Sequence, residues 1–272
     1  MYARATDCDI RLTDRQVVVA GDWHSNTDWA VEAIRTAGKH ASTILHVGDF
    51  GLLPGNDDHL NAIDVAAAEA GVDRILLTPG NHDDWGTLAA LFAAHPGRAV
   101  RVSETVWALP RGFTFHAAGR AFMSFGGAGS VNPHHRRVGA DWWPEEVPTE
   151  ADVRTAVHAG WVDVMITHDT VHGSGVPAVE RAIGRGGLDH VTTDYIDSAR
   201  DKVTRAYRAV GPTVLFHGHV HVTANGLAPG GRRVFSLGCD GDAHGNLALL
   251  DVDTLTVMGL PIFRKERVAA LV

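Results

Sequence analysis

The chain is predicted to be an α/β fold whose strands run parallel in its first third. Short apolar runs recur at about 16–21, 43–48 and 74–78. Each is followed by a stretch of helical character, at about 27–39, 57–70 and 84–94. Nothing resembling a linker, an internal repeat or a low-complexity tract interrupts the 272 residues, so one domain over 1–272 is expected. Strands alternating with helices build a parallel sheet, because the crossover helix carries the chain back to the same end.

Taken in order, the first strand at 16–21 leads to a helix near Thr27, with Ser25 or Asn26 as N-cap. The second leads to "DDHLNAIDVAAAEA" and the third to "DWGTLAALFAA". The middle of the chain then changes character. "TVWALP", "FTFHAAG" and "AFMSFGGAG" read as short strands joined by close turns, as in a meander. The stretch 130–153 has three prolines, two tryptophans and no clean period. It reads as a long ordered loop, part of an insert at about 126–150, and such loops in compact domains tend to be functional. Further on come a helix capped by Thr149, the strand "VDVMITHD", a Gly-rich region with one short helix, and an amphipathic helix in "TDYIDSARDKVTRAYRAVG". "TVLFHGHVH", "RRVFSLGCD" and "NLALLDVDTLTVMGL" read as strands separated by turns.

Bulk properties exclude several classes. Hydrophobic residues at 45% and charged residues at 21% describe an ordinary globular protein with a large core. A net charge of −8 repels polyanions, which argues against polymeric nucleic acid as a partner. Cys8 and Cys239 form no zinc knuckle and no disulfide framework. The start of the chain lacks the apolar core of a secretion signal, and no apolar run is long enough for a membrane span. A cytoplasmic enzyme is expected.

The chemistry gathers where apolar runs end. Asp22 and His24 follow the first, Asp49 the second, and Asn81, His82 and Asp83 the third. His168 follows "VMIT", and His219 with His221 follow "TVLFH". Functional groups in open α/β sheets collect at the carboxyl ends of strands. On extended segments, residues i and i+2 point the same way, so Asp22 with His24, and His219 with His221, are expected to converge. Seven oxygen and imidazole donors without a thiolate suit Mn, Fe, Zn, Ni or Co, and are too many for one ion. Two ions sharing a carboxylate, about 3.5–4 Å apart, are a common device for hydrolysing phosphate esters.

The motifs "GDWH", "GD" before Phe50, "GNHD", "THD" and "GHVH" occur in that order from Asp22 to His221. In that order the chain resembles the calcineurin-like metallophosphoesterases. The resemblance implies a four-layer αββα sandwich of two mixed sheets flanked by helices. It also implies two divalent ions, Mn²⁺ first among the candidates. Asp22, His24 and His221 would hold one ion, and Asn81, His168 and His219 the other, with Asp49 bridging. A metal-bound hydroxide would attack phosphorus, and His82 would stabilise the transition state or protonate the leaving oxygen.

Other residues take weaker readings. His217 is expected to be structural, or to support a ligand, and His46 to be a satisfied core histidine. Asp83 would orient neighbours or cap the next helix, and Asp169 is similar. Cys239 falls in "SLGCDG", where the family often places a turn beside the site. In "HHRR", Arg136 or Arg137 would either grip a substrate phosphate or face solvent. Trp23, Trp142 and Trp143 would flank a base or anchor loops.

The protein phosphatases of this superfamily carry Asp-Arg-Gly after the second motif and Arg-Gly-Asn-His-Glu at the third. This chain has "FGLLPG" and "TPGNHDDW" instead, similar to the branch of cyclic-nucleotide phosphodiesterases and nuclease-type members. The segment "FGGAGSVNPHHRRVGADWWPEE" resembles an insert of actinobacterial and phage metallophosphoesterases. The expected substrate is a small phosphodiester such as a cyclic nucleotide, the 2′,3′-cyclic kind included. A broad phosphomonoesterase or nucleotidase is the alternative, ahead of a nuclease or a non-catalytic scaffold.

Overall fold

The computed structural model describes residues 4–184 and 187–263. In chain order its elements are β1 (Ala5–Asp7), β2 (Arg11–Leu12), β3 (Gln16–Ala20), α1 (Thr27–Ala37), β4 (Thr43–His46), α2 (Asp57–Ala70), β5 (Arg74–Leu77) and α3 (Trp85–Ala94). Next come β6 (Ala99–Arg101), β7 (Val106–Ala108), β8 (Phe113–Ala117), β9 (Arg120–Phe125), α4 (Glu150–Ala159), β10 (Val164–Thr167), α5 (Pro177–Ile183) and α6 (His190–Val210). Last are β11 (Val214–His217), β12 (Ala224–Ala228), β13 (Arg232–Ser236), β14 (Leu247–Asp251) and β15 (Val257–Leu260).

Two mixed sheets result. One has the order β1-β6-β7-β5-β4-β3-β14-β15, the other β12-β13-β11-β10-β9-β8-β2. In the first, β3, β4, β5 and β7 pair in parallel, and β14 closes against β3 antiparallel. In the second, β9, β10, β11 and β13 are parallel.

Alternate strand residues explain the layering, since a strand buried on both faces must be apolar at every position. Val18, Ile44, Ile75 and Leu77 pack outward with α1, α2 and α3. Val17, Val19, Leu45 and Leu76 face inward against Phe115, Phe122, Val164, Ile166 and Phe216 of the second sheet. Met123, Met165 and Leu215 leave the far side of that sheet for α4, α5 and α6. The order is helices, sheet, sheet, helices, the predicted four-layer sandwich.

Local chemistry sets the helix starts. Asn26 Oδ1 accepts from Trp29 N at α1, and Asp84 Oδ1 from Thr87 N at α3. Thr149 and Asp152 form a reciprocal capping box at α4. Asp84 thus takes the capping place that was open to Asp83. The expected meander is divided: β7 joins the first sheet beside β5, while β8 and β9 form a hairpin of the second. β1, β2, β6 and β12 were not anticipated.

The segment 126–150 has only two 3₁₀ turns, Pro133–His135 and Pro144–Glu146. Arg111 fastens both its ends. Its Nε donates to Gly126 O at 2.8 Å, and its Nη2 to Glu145 O at 2.8 Å and Glu146 O at 2.7 Å. The guanidinium also lies over the Trp85 ring, 3.8 Å from its centre.

Candidate metal centre

Five strands, three parallel in the first sheet and two parallel in the second, deliver the seven predicted ligands to one site. Asp22 and His24 follow β3, Asp49 follows β4, and Asn81 follows β5. His168 follows β10 directly, and His219 and His221 follow β11. Convergence does not come from extended backbone as expected. His24, Asp49, His219 and His221 have φ of +46°, +50°, +63° and +55°, the left-handed region. Non-glycine residues held there carry strain that the surroundings must offset, and such strain clusters at functional sites. Glycines let the turns approach closely. A Cβ on Gly80 would lie 2.2 Å from Asp49 Oδ1, and one on Gly218 2.0 Å from Asp22 Oδ1.

The side chains form two groups joined by Asp49. Donor atoms of Asp22, His24, Asp49 and His221 lie within 4.8 Å of one another, as do those of Asp49, His168 and His219. Asp49 Oδ2 is 3.4 Å from His24 Nε2, and its Oδ1 is 3.3 Å from His168 Nε2. Asp22 Oδ2 is 3.2 Å from His221 Nε2. Asn81 Oδ1 joins the second group, 3.0 Å from His168 Nε2. His168 Nδ1 donates to Val47 O at 2.9 Å, which leaves its Nε2 facing the carboxylate.

Charge and satisfaction both ask for cations here. Asp22 Oδ1 is buried without a partner, a costly state for a carboxylate oxygen. Burial disfavours the charged form of His24, yet Asp49, Asp240 and Asp22 outweigh it and raise the pKa to about 9. His168 behaves likewise, raised to about 10 against burial by Asp49 and Asp22. Asp49, despite burial, is held well below the usual carboxylate range by His168, His24 and His82. His219 is pushed down to about 4, mainly by burial, which keeps its imidazole neutral for ligation. Two clusters of carboxylate, amide and imidazole donors, one oxygen orphaned, fit divalent ions.

A surrounding shell orients these donors. His24 Nδ1 donates to Asp240 Oδ1 at 2.9 Å, and Asn26 Nδ2 holds Asp240 Oδ2 at 2.7 Å. Asn81 Nδ2 donates to Ser130 Oγ, which donates to Glu146 Oε2 at 2.8 Å. Ser130 N and Tyr195 OH donate to Glu146 Oε1. Asp83 is an orienting residue. It accepts from Gly80 N at 2.8 Å and from Gly51 N and Leu52 N at 3.1 Å. Burial, helped by Asp49, lifts its pKa to about 6. Asp169 pairs with Arg200. His217 bonds to Thr170 Oγ1 and Gly218 O, outside both donor groups. His46 is not fully satisfied: Nδ1 accepts from Gly48 N, but Nε2 is buried without a partner among Trp23 and Phe50.

The segment 126–150 reaches the site through Arg136. Arg136 Nη1 donates to His82 Nδ1 at 2.7 Å, and Nη2 lies 3.1 Å from Nε2. The His82 backbone N–H donates to Asp49 Oδ1 at 2.8 Å. Burial lowers the His82 pKa; Asp49 opposes this, while Arg136 and His24 add to it. Arg137 is exposed, and its backbone N–H is held by Asp141. Trp23 and Trp143 are buried in the core, Trp23 donating to Asn246 Oδ1. Trp142 packs against Tyr195.

A family model for calcineurin-like phosphoesterases matches residues 15–223. The chain belongs to that family. Its fold also resembles that of a dimetal phosphatase from Danio rerio, with TM-score 0.51 and 10% identity over 92% of this chain and 96% of that one. A phosphopantetheinyl hydrolase from Mycobacterium tuberculosis is similar at TM-score 0.50 and 13% identity, over 85% of this chain and 94% of the other. At such identities these likenesses concern the fold. No curated protein sequence matches. Among the described residues, no helix of this calcineurin-like phosphoesterase is long and apolar enough to cross a membrane.

Sequence reading missed Asp240, Ser130, Glu146, Arg111 and Arg200. Asp240 sits in "SLGCDG", next to Cys239. Arg200 left a signal: it shares a buried helix stripe with Ile196, Val203 and Tyr207, where a charge needs a reason.

Proposed function

We propose that this calcineurin-like phosphoesterase is a dinuclear hydrolase of small phosphodiesters. The observation that carries the dinuclear part is the division of Asp49, one oxygen toward each donor group. Asp22, His24, Asp49 and His221 would hold one ion, and Asp49, Asn81, His168 and His219 the other. Manganese is the proposed metal for both. Divalent ions bound there would supply Lewis acidity to the phosphoryl oxygens and lower the pKa of water.

The chain's own groups do the rest. Asp240 and Val47 O fix the ring orientations of His24 and His168. Burial and the neighbouring Arg136 hold His82 toward its neutral form, and only its imidazolium form, with a proton taken up from solvent, would pass a proton to a leaving oxygen. The charge of Arg136 beside that ring favours a developing negative charge. His221 keeps 43% of its side chain exposed, so the site opens to solvent on that side.

The "PGNHD" form of the third motif supports a diester, and a net charge of −8 supports a small substrate over a polyanion. Cyclic nucleotides, the 2′,3′ kind among them, belong to that class. The test is hydrolysis of bis-p-nitrophenyl phosphate against p-nitrophenyl phosphate in Mn²⁺, with a chelated control. Chelator-sensitive preference for the diester is expected. Preference for the monoester would replace this reading with a phosphomonoesterase or nucleotidase.

A further inference from the structure

A cavity of about 550 Å³ opens directly beside the donor groups. Its lining includes Asn81, His82, His219 and His221. Its lining also includes Val131, Ile183, Leu188, Ile196 and Val220. Of these, Val131 is 51% exposed, Ile183 38% and Leu188 46%, so aliphatic surface faces water next to a polar site. Apolar surface in such a position gains most from a ligand that covers it.

Two features define what fits. Among the described residues, no Trp, Tyr or Phe lines the cavity, and the rings there are the histidines of the candidate site. A nucleobase is usually held by stacking on an aromatic face, and none is offered. Among the described residues, the charged lining residues outside the donor groups are Asp197 and Arg200, which pair with each other at 3.4 Å. Arg200 also pairs with buried Asp169 at 3.3 Å. Among the described residues, the charge of Arg200 is taken up by two carboxylates, so this part of the lining offers no free cation to an anionic arm.

We infer that the cavity receives a neutral aliphatic arm of the phosphoester, so that alkyl esters are preferred to nucleosidyl ones. This rests on the phosphodiesterase reading and names its substrate class. The scissile phosphate would lie at the donor groups and the arm along Ile183, Leu188 and Ile196.

The test uses the Mn²⁺-loaded protein and p-nitrophenyl esters of methyl, butyl, hexyl and octyl phosphate. All share one leaving group, so only the arm varies. A thymidine 5′-(p-nitrophenyl phosphate) arm is the comparison. The expected kcat/KM climbs about two- to fourfold per methylene until the cavity is filled, and the hexyl ester exceeds the thymidine ester. Ile183→Asp and Leu188→Asp, at exposed positions that spare the fold, should each reduce that slope. A flat series, or preference for the thymidine ester, with bis-p-nitrophenyl phosphate still hydrolysed, overturns the inference alone. If no diester is cleaved, the diesterase reading falls first. Alkyl monophosphates of the same lengths, read by phosphate release, then apply the same slope criterion. Inactivity on both series overturns both readings.

Discussion

Nδ1 of His24 donates to Oδ1 of Asp240 across 2.9 Å, though 216 positions separate the two residues in sequence. β13 runs parallel to β11, so its following loop arrives at the same rim as the site and brings Asp240 to the ring. A carboxylate behind a ligating imidazole fixes its tautomer and raises its basicity, and losing it typically weakens metal binding about 10- to 100-fold. Asp240→Ala is expected to weaken Mn²⁺ affinity by that much in calorimetric titration. Asp240→Asn, which keeps an acceptor, should lose less. Unchanged affinity in both would reduce Asp240 to a brace for Asn26.

What the sequence disclosed follows from the range of each interaction. The helix Asp57–Ala70 lies where its sequence pattern puts it, because that pattern is local. The two-residue β2 and three-residue β1 and β6 have no period of their own and exist only through their partners. The seven donors were legible because each sits in a short motif after an apolar run. How the chain turns there was not. Left-handed backbone at His24 or His219 is imposed by tertiary contacts, such as Asp49 O accepting from Trp23 N and His24 N. Asp240 and Glu146 were silent for the same reason, since their partners lie far along the chain.

In the proposed reaction His82 acts on the leaving group. Its ring is not among the donor groups, and Arg136 holds Nδ1. His82→Ala should retain both ions by elemental analysis while kcat falls about 10²- to 10⁴-fold. The fall should be steeper for esters with poor leaving groups than for p-nitrophenolate. An equal fall across leaving groups would make His82 an electrostatic stabiliser and not an acid. Arg136→Ala should raise KM and lower kcat in parallel with the loss of that contact, and unchanged kinetics would assign Arg136 to loop structure.

Arg111 carries the loop's anchorage. Its side chain is 7% exposed and serves three carbonyls at both ends of 126–150, while burial lowers its pKa to about 10 against the support of Asp152 and Glu146. Removing it leaves acceptors without their donor, a cost of about 1–3 kcal/mol where they stay buried. Arg111→Met is expected to lower the urea midpoint accordingly. It should also speed proteolysis within 126–150 more than elsewhere. Equal stability with unchanged cleavage would show that the loop is held by its other contacts.

Glu146 gives the anchored loop a pH dependence of known sign. Burial raises its pKa, although bonds from Ser130 and Tyr195 pull the other way. A carboxyl whose folded pKa exceeds its unfolded value binds more protons in the folded state between the two values. Stability therefore falls as pH rises through that window and levels off above it. Other carboxylates such as Asp49, depressed in the folded state, contribute the opposite slope, so the wild-type curve alone is not diagnostic. The difference in unfolding free energy between wild type and Glu146→Gln isolates the group. That difference should fall with rising pH, starting near the ordinary glutamate range, and then become constant. A flat difference, or one that rises, would mean that the bonds from Ser130 and Tyr195 outweigh burial and that Glu146 is an ordinary anion in the folded protein.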